Sequence, residues 1–184
     1  QRVSAAIKNL GAKSPLRANK KITINLIPTD IKKYGSYYDL PIALGYLLAS
    51  KQIQQFNPAK KIFIGELTLE GLIKPVKGVL AIALWAEQQN YEYLFTPIQN
   101  ASEAALAAKN LKVIGVKNLQ EVILFLENKI KILPTPKPNL ETLNINQRPS
   151  LDFSQIKGQQ QAKRALTIAV SGKHNILMIG PPGS

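Results

Sequence analysis

The sequence predicts an α/β protein in two parts. Strand-like and helix-like segments alternate after Lys61, which is the mark of an α/β domain. Four prolines then fall between residues 132 and 150 (Pro134, Pro136, Pro138, Pro149), dense enough to prevent a regular element. A last helix and apolar run end in the glycine turn Gly180-Pro181-Pro182-Gly183-Ser184.

The elements follow in order. Val3, Ala6, Ile7 and Leu10 recur at helical spacing, and Gly11 stops the helix. "KITINLIP" alternates Ile22, Ile24 and Leu26 with polar residues until Pro28, which predicts a strand. "YGSYYDLPIALGYLLAS" reads as a loop feeding a helix. Asp39 is its candidate cap, and Pro41 is tolerated in the first turn. "KIFIGELTL" is a strand, and "GLIKPVKG" a short strand or turn. Val79 to Gln89 is apolar nearly all round, which predicts a helix buried on more than one side, with Trp85 in the core. Tyr93 to Thr96 is a strand ended by Pro97. "NASEAALAAKN" is a helix with Asn100 or Ser102 as cap. "LKVIGV" is a strand, and "NLQEVILFLENKI" a helix with Leu119, Val122, Ile123 and Leu126 on one face. The expected organisation is a domain over 1–130, a proline-rich linker over 131–150, and a new unit over 151–184. That unit opens with "GQQQAKRALTIAVSG", a helix striped by Ala162, Ala165, Leu166 and Ala169. "HNILMIG" then reads as a buried strand entering the turn.

Composition narrows the function. Apolar residues make up 45% and charged residues 19% of 184, a globular balance. Without cysteine there is no disulfide, no zinc–cysteine site and no thiol nucleophile. A single histidine, His174, leaves no material for a His-rich metal site or a Ser-His-Asp triad. No apolar stretch is long enough to span a bilayer, so no membrane partner is expected. A cytoplasmic location fits the absence of cysteine. The chain starts at Gln1 without a signal pattern and stops inside a motif, and the expectation is a fragment bounded at both ends.

The formal net charge is +13. Arg2, Lys8, Lys13, Arg17, Lys20, Lys21, Lys32 and Lys33 face a single acid, Asp30, within the first 33 residues. Such an excess favours a polyanion, DNA first, bound through the basic N-terminal third. A solubilising surface is the plainer reading. Tyr34, Tyr37 and Tyr38 beside Lys32 and Lys33 are candidates to stack bases.

The apolar run Ile176–Ile179 and "GPPGS" have the form of a strand entering a phosphate-binding loop. An ordinary Pro-Pro-Gly turn is the alternative. The segment "LDFSQIKGQQQAKRALTIAVSGKHNILMIGPPGS" resembles the opening of the AAA+ ATPase module of ComM-type (YifB-type) competence proteins, the magnesium-chelatase-like family. The resemblance implies that Ile156, Lys157 and Gly158 lie beside adenine. It also implies that Gly180, Pro181, Pro182, Gly183 and Ser184 form the first half of the phosphate loop. ATP and Mg2+ are then the cofactors of the whole protein. This chain alone, lacking the loop lysine, is expected neither to bind ATP tightly nor to hydrolyse it.

"DLPIALGYLLAS", "GELTLEGLIKPVKG" and "YEYLFTPIQNASEAA" are similar to the proteolytic domain of Lon proteases, a ribosomal-protein-like α/β fold. The Lon dyad needs a serine nucleophile and a desolvated lysine base. The resemblance lays Asp39 on the serine and Leu80 and Ile82 where Lon has lysines, so no catalytic residue is expected. A shifted dyad of Ser36 with Lys74 or Lys77 is the weak alternative, and Glu66 with Glu70 as a carboxylate pair is weaker still. His174 reads as structural. For the whole protein the resemblance implies a ring-forming, ATP-driven motor that acts on DNA in natural transformation and moves branched intermediates. The rivals are a Lon-type serine peptidase, a motor subunit that inserts magnesium into a porphyrin, and a structural oligomerisation module.

Overall fold

The computed structural model describes residues 2–15, 22–26, 35–139 and 152–181. Its frame is a parallel sheet of β1 (Lys61–Phe63), β4 (Tyr93–Pro97) and β5 (Lys112–Val116), with β4 in the middle. Tyr93, Leu94 and Phe95 pair with Lys61, Ile62 and Phe63 on one edge, and with Lys112, Val113 and Ile114 on the other. Parallel neighbours need crossovers, and helices α3 (Val79–Gln88) and α4 (Ile98–Ala105) lie within them. A hairpin of β2 (Glu66–Leu67) and β3 (Ile73–Lys74) is inserted ahead of α3.

Alternation along the strands sorts the core into two layers. Phe95, Ile114 and Val116 join α1 (Arg2–Asn9), α2 (Asp39–Ala49), the hairpin and α5 (Leu119–Leu126). Leu94 and Val113 face the other way, onto Val79, Ala83 and Ala86 of α3 and Ala101 and Ala104 of α4. The strands therefore read as apolar runs because both faces are covered. Phe95 is fully buried, stacked on Phe63 at 4.7 Å and edge-on to Phe125 at 5.4 Å. Close contact of α4 with β5 depends on Gly115, where an added Cβ would come within 2.8 Å of the Ala101 Cβ.

Side-chain hydrogen bonds fasten the loops. Asn118 caps α5 by accepting from Glu121 N at 2.8 Å. Glu87, near the end of α3, accepts from the backbone N–H groups of Lys109, Asn110 and Leu111 at 2.9, 3.0 and 3.0 Å. The bond from Lys109 leads the others in holding this carboxyl below the usual range, against a burial effect that would raise it.

Several sequence expectations are corrected. Ile22–Leu26 is not a strand, since no described strand pairs with it, and Ile22, Ile24 and Leu26 are exposed. Asp39 does not cap α2, which follows Tyr38 without a side-chain cap bond. Neither Asn100 nor Ser102 caps α4. Pro97 precedes it, and Asn100 is drawn off to pair with Val76 N and O at 2.9 and 3.0 Å. The burial of α3 is one-sided: Trp85 is 51% exposed.

The chain divides into units 1–138 and 139–184. Ile132 packs on the first unit's core, and Thr135 N, lying between two prolines that cannot donate, bonds Val113 O at 2.8 Å. In the second unit Asp152 and Gln155 form a capping box on a short 3-10 turn, Phe153–Gln155, and α6 runs Gln160–Gly172. Ala169 is its one buried residue among those described; Ala162 and Leu166 are half-buried and Ala165 exposed. Residues 174–180 are not the expected buried strand. The described residues of this unit hold no partner strand, and Leu177 and Ile179 are 83% and 89% exposed.

Phe95→Ala is expected to cost about 3–5 kcal/mol in urea denaturation, the range for emptying a buried aromatic site. Glu87 should contribute stability above the ordinary glutamate value of about 4.3 and lose it as pH falls through the lowered folded value. Glu87→Gln should therefore flatten the acid limb of a denaturation-midpoint profile and leave its alkaline side unchanged in shape.

Candidate functional site

The sequence motifs fall on two separate surfaces. In the first unit, the turn before α2 is tied to the strand loop by Leu40 N to Gly65 O and Gly65 N to Tyr37 O, both 3.2 Å. This sets Ser36 and Asp39 beside β2. Asp39 accepts from Arg2 Nε at 3.0 Å and from Leu67 N at 3.3 Å, so its carboxylate joins α1, α2 and β2. The hydrogen bond to Asp39, and then its charge, raise the already high Arg2 pKa, and Glu66 adds to this. The Ser36 hydroxyl donates to the Glu66 carboxylate.

Across the hairpin, Glu66 is the register partner of Lys74. Lys74 and Lys77 are exposed, which gives them none of the desolvation a lysine base needs. Leu80 and Ile82 are half-buried and pack on the α3–α4 layer. The Ser36 hydroxyl is thus directed to a carboxylate, and Leu80 and Ile82 offer only hydrocarbon to their neighbours. Glu70 is apart from Glu66, exposed in the hairpin turn and held below the usual carboxylate range by Thr68. No group of three or more His, Asp or Glu able to hold a metal occurs among the described residues.

Beside this turn, Val3, Ile22, Ile24, Ile42 and Tyr46 line an apolar groove of about 840 Å³, with Tyr38 at its rim. Arg17, Lys20, Lys21, Lys32, Lys33 and Tyr34 lie outside the described residues.

In the second unit Ile156, Lys157 and Gly158 form one turn ahead of α6. Lys163 of α6 donates its ammonium to Ile156 O and fixes that turn. Ile156 is 47% exposed, and Gly158 has φ +70 with open space where a Cβ would lie. An exposed apolar side chain next to an unobstructed glycine suits the edge of a planar base. Gly180 and Pro181 are the last described residues, and Pro182, Gly183 and Ser184 lie outside them. His174 folds back over Gly172, and its N–H closes on Ala169 O at 2.8 Å. No described helix is long and apolar enough to cross a membrane.

An α/β domain with a parallel sheet, followed by a unit carrying a helix, is the class of protein that this geometry defines. Comparison with known proteins narrows it. Residues 1–100 match the family described as "Subunit ChlI of Mg-chelatase", and residues 152–184 match "Magnesium chelatase, subunit ChlI". The chain belongs to this magnesium-chelatase ChlI family. It is 39% identical over 184 residues to "Competence protein ComM" of Haemophilus influenzae, covering 100% of this chain and 35% of that protein. It is 39% identical over 183 residues to "Uncharacterized protein YifB" of Escherichia coli, with 100% and 34% covered. It is 30% identical over 182 residues to "Uncharacterized protein Rv2897c" of Mycobacterium tuberculosis, with 99% and 35% covered. The chain therefore spans about a third of the length of the curated relatives it matches.

The Arg2–Asp39 pair yields a test of what Asp39 does. Asp39→Ala should lower the thermal midpoint by a few degrees, and Arg2→Ala should add little once Asp39 is gone. Additive losses in that cycle would return Asp39 to an isolated helix-start role.

Proposed function

We propose that this chain supplies a non-proteolytic Lon-like domain and the opening of the nucleotide-binding unit of an AAA+ ATPase. The whole protein works as a ring on DNA during natural transformation and drives the migration of branched intermediates. The observation that carries this reading is the 39% identity to the competence protein along the entire chain, across both units. The family matches at both ends agree with it. ATP as energy source puts the activity in the cytoplasm.

Each part has a role in this reading. Ile156, Lys157 and Gly158 would flank the base, with Lys163 keeping their turn in place. Gly180, Gly183 and Ser184 would offer backbone N–H groups to phosphates, and Pro181 and Pro182, which have none, would shape the loop between them. Bound there with Mg2+, ATP would supply the free energy of its hydrolysis. The Lon-like domain contributes contacts rather than chemistry, since Asp39 is engaged by Arg2 and Leu80 and Ile82 are packed. The basic first third contacts DNA phosphates.

The whole protein should hydrolyse ATP faster with branched DNA present and resolve that DNA in a gel assay, while casein stays intact. ATP hydrolysis indifferent to DNA, or casein turnover lost in Ser36→Ala, would overturn the reading. The 184-residue chain alone should show no micromolar ATP affinity by calorimetry. A micromolar dissociation constant would contradict the role given to residues outside it.

A further inference from the structure

The end of the sheet where the parallel strands begin carries a strip of aromatic rings and lysines that the DNA-motor reading does not use. Trp85, on the outer side of α3, is half-exposed and leans on Tyr91 with ring centroids 5.5 Å apart. Tyr91 lines a hollow of about 280 Å³ with Glu87, Asn90, Glu92, Asn110 and Lys112. The Lys112 ammonium lies 5.2 Å from the Tyr93 ring, and that of Lys61 lies 5.6 Å from it. Lys61, Tyr93 and Lys112 are register partners at the first positions of β1, β4 and β5. With strands about 4.8 Å apart, their backbones span about 10 Å. Lys60 and Lys109 are exposed nearby in sequence.

Two carboxylates belong to this end. Glu87 spends its charge on the N–H groups of residues 109–111. Glu92 is exposed and stands against four lysines, Lys60, Lys61, Lys109 and Lys112.

We propose that the strip Trp85–Tyr91–Lys112–Tyr93–Lys61 is a track for single-stranded nucleic acid. The inference rests on the DNA reading above and gives it a place on this chain. The half-exposed indole offers a face for a base, and lysines farther along the strip meet phosphates. A duplex hides its base faces, so the indole selects single strands. A protein partner fits worse, because lysine is depleted from protein interfaces while this strip is rich in it.

The chain has one tryptophan among six tyrosines, so emission excited where only tryptophan absorbs reports on this site alone. Titrating the 184-residue chain with a thymidine oligonucleotide at low salt should quench Trp85 to saturation, and duplex DNA should quench it less. In anisotropy with a labelled oligonucleotide, Trp85→Ala should weaken binding about tenfold, and Trp85→Phe should recover most of it. Lys61→Ala with Lys112→Ala should reduce the salt slope by about 1.4. Unchanged fluorescence, unchanged affinity of Trp85→Ala, or emission that shifts with protein concentration without DNA would each overturn the track. The last result would mark self-association. If the whole protein carrying Trp85→Ala keeps DNA-stimulated ATP hydrolysis, and Trp85 of the unaltered 184-residue chain is not quenched by the oligonucleotide, the track fails and the motor reading stands. If the unaltered whole protein gives no DNA response, the motor reading fails, and the track is then judged by oligonucleotide binding to this chain.

Discussion

β4 is paired on both edges and covered on both faces, and most of the first unit is arranged by that single circumstance. A strand with no free edge and no wet face must be apolar at consecutive positions, and Leu94 and Phe95 meet this by facing opposite layers. Phe95 then gathers Phe63, Tyr93 and Phe125 around one side. Leu94 gives the small residues of α3 and α4 a surface to approach. Gly115 lets α4 come closer than any side chain there would allow. The hairpin, α1 and α2 complete the Phe95 side, and Asp39 joins all three through one carboxylate.

Elements that obtain their partners within the described chain were legible in the sequence. The runs of β4 and β5, the periodicity of α5 and the glycine stop after α1 appear as read, whereas "KIFIGELTL", read as one strand, is broken at Ile64–Gly65 into β1 and β2 of two different sheets. What the sequence concealed depends on neighbours. Ile22–Leu26 and residues 174–180 have strand-like patterns but no described strand beside them, and a strand pattern specifies a face without supplying a ladder. Trp85 shows the same limit from the other direction. A helix apolar all round reads as buried all round, yet only its Val79, Ala83 and Ala86 side meets the sheet. Asp39 and Asn100 are residues of capping type that found stronger partners in Arg2 and Val76, and no local rule weighs a cap against a tertiary bond.

The candidate sites divide similarly. Ile156–Gly158 are singled out through the family resemblance and not through any local pattern, and the structure adds the Lys163 clasp that a seven-residue separation conceals. The aromatic–lysine strip has no local pattern either. Its members come from α3, the following loop and three strands, and only the register of the sheet brings Lys61, Tyr93 and Lys112 into one row.

Three consecutive backbone N–H groups, those of residues 109 to 111, converge on one carboxylate at the end of α3. Such a cluster is a ready receptor for a single phosphate. Glu87 occupies it from within, as a resident anion that never leaves. The surface around it is left with ammonium groups on flexible stems, which attract a chain of phosphates without fixing any one of them. A polyanion held in that manner can shift along its length at little cost, whereas one seated in the N–H cluster would be anchored.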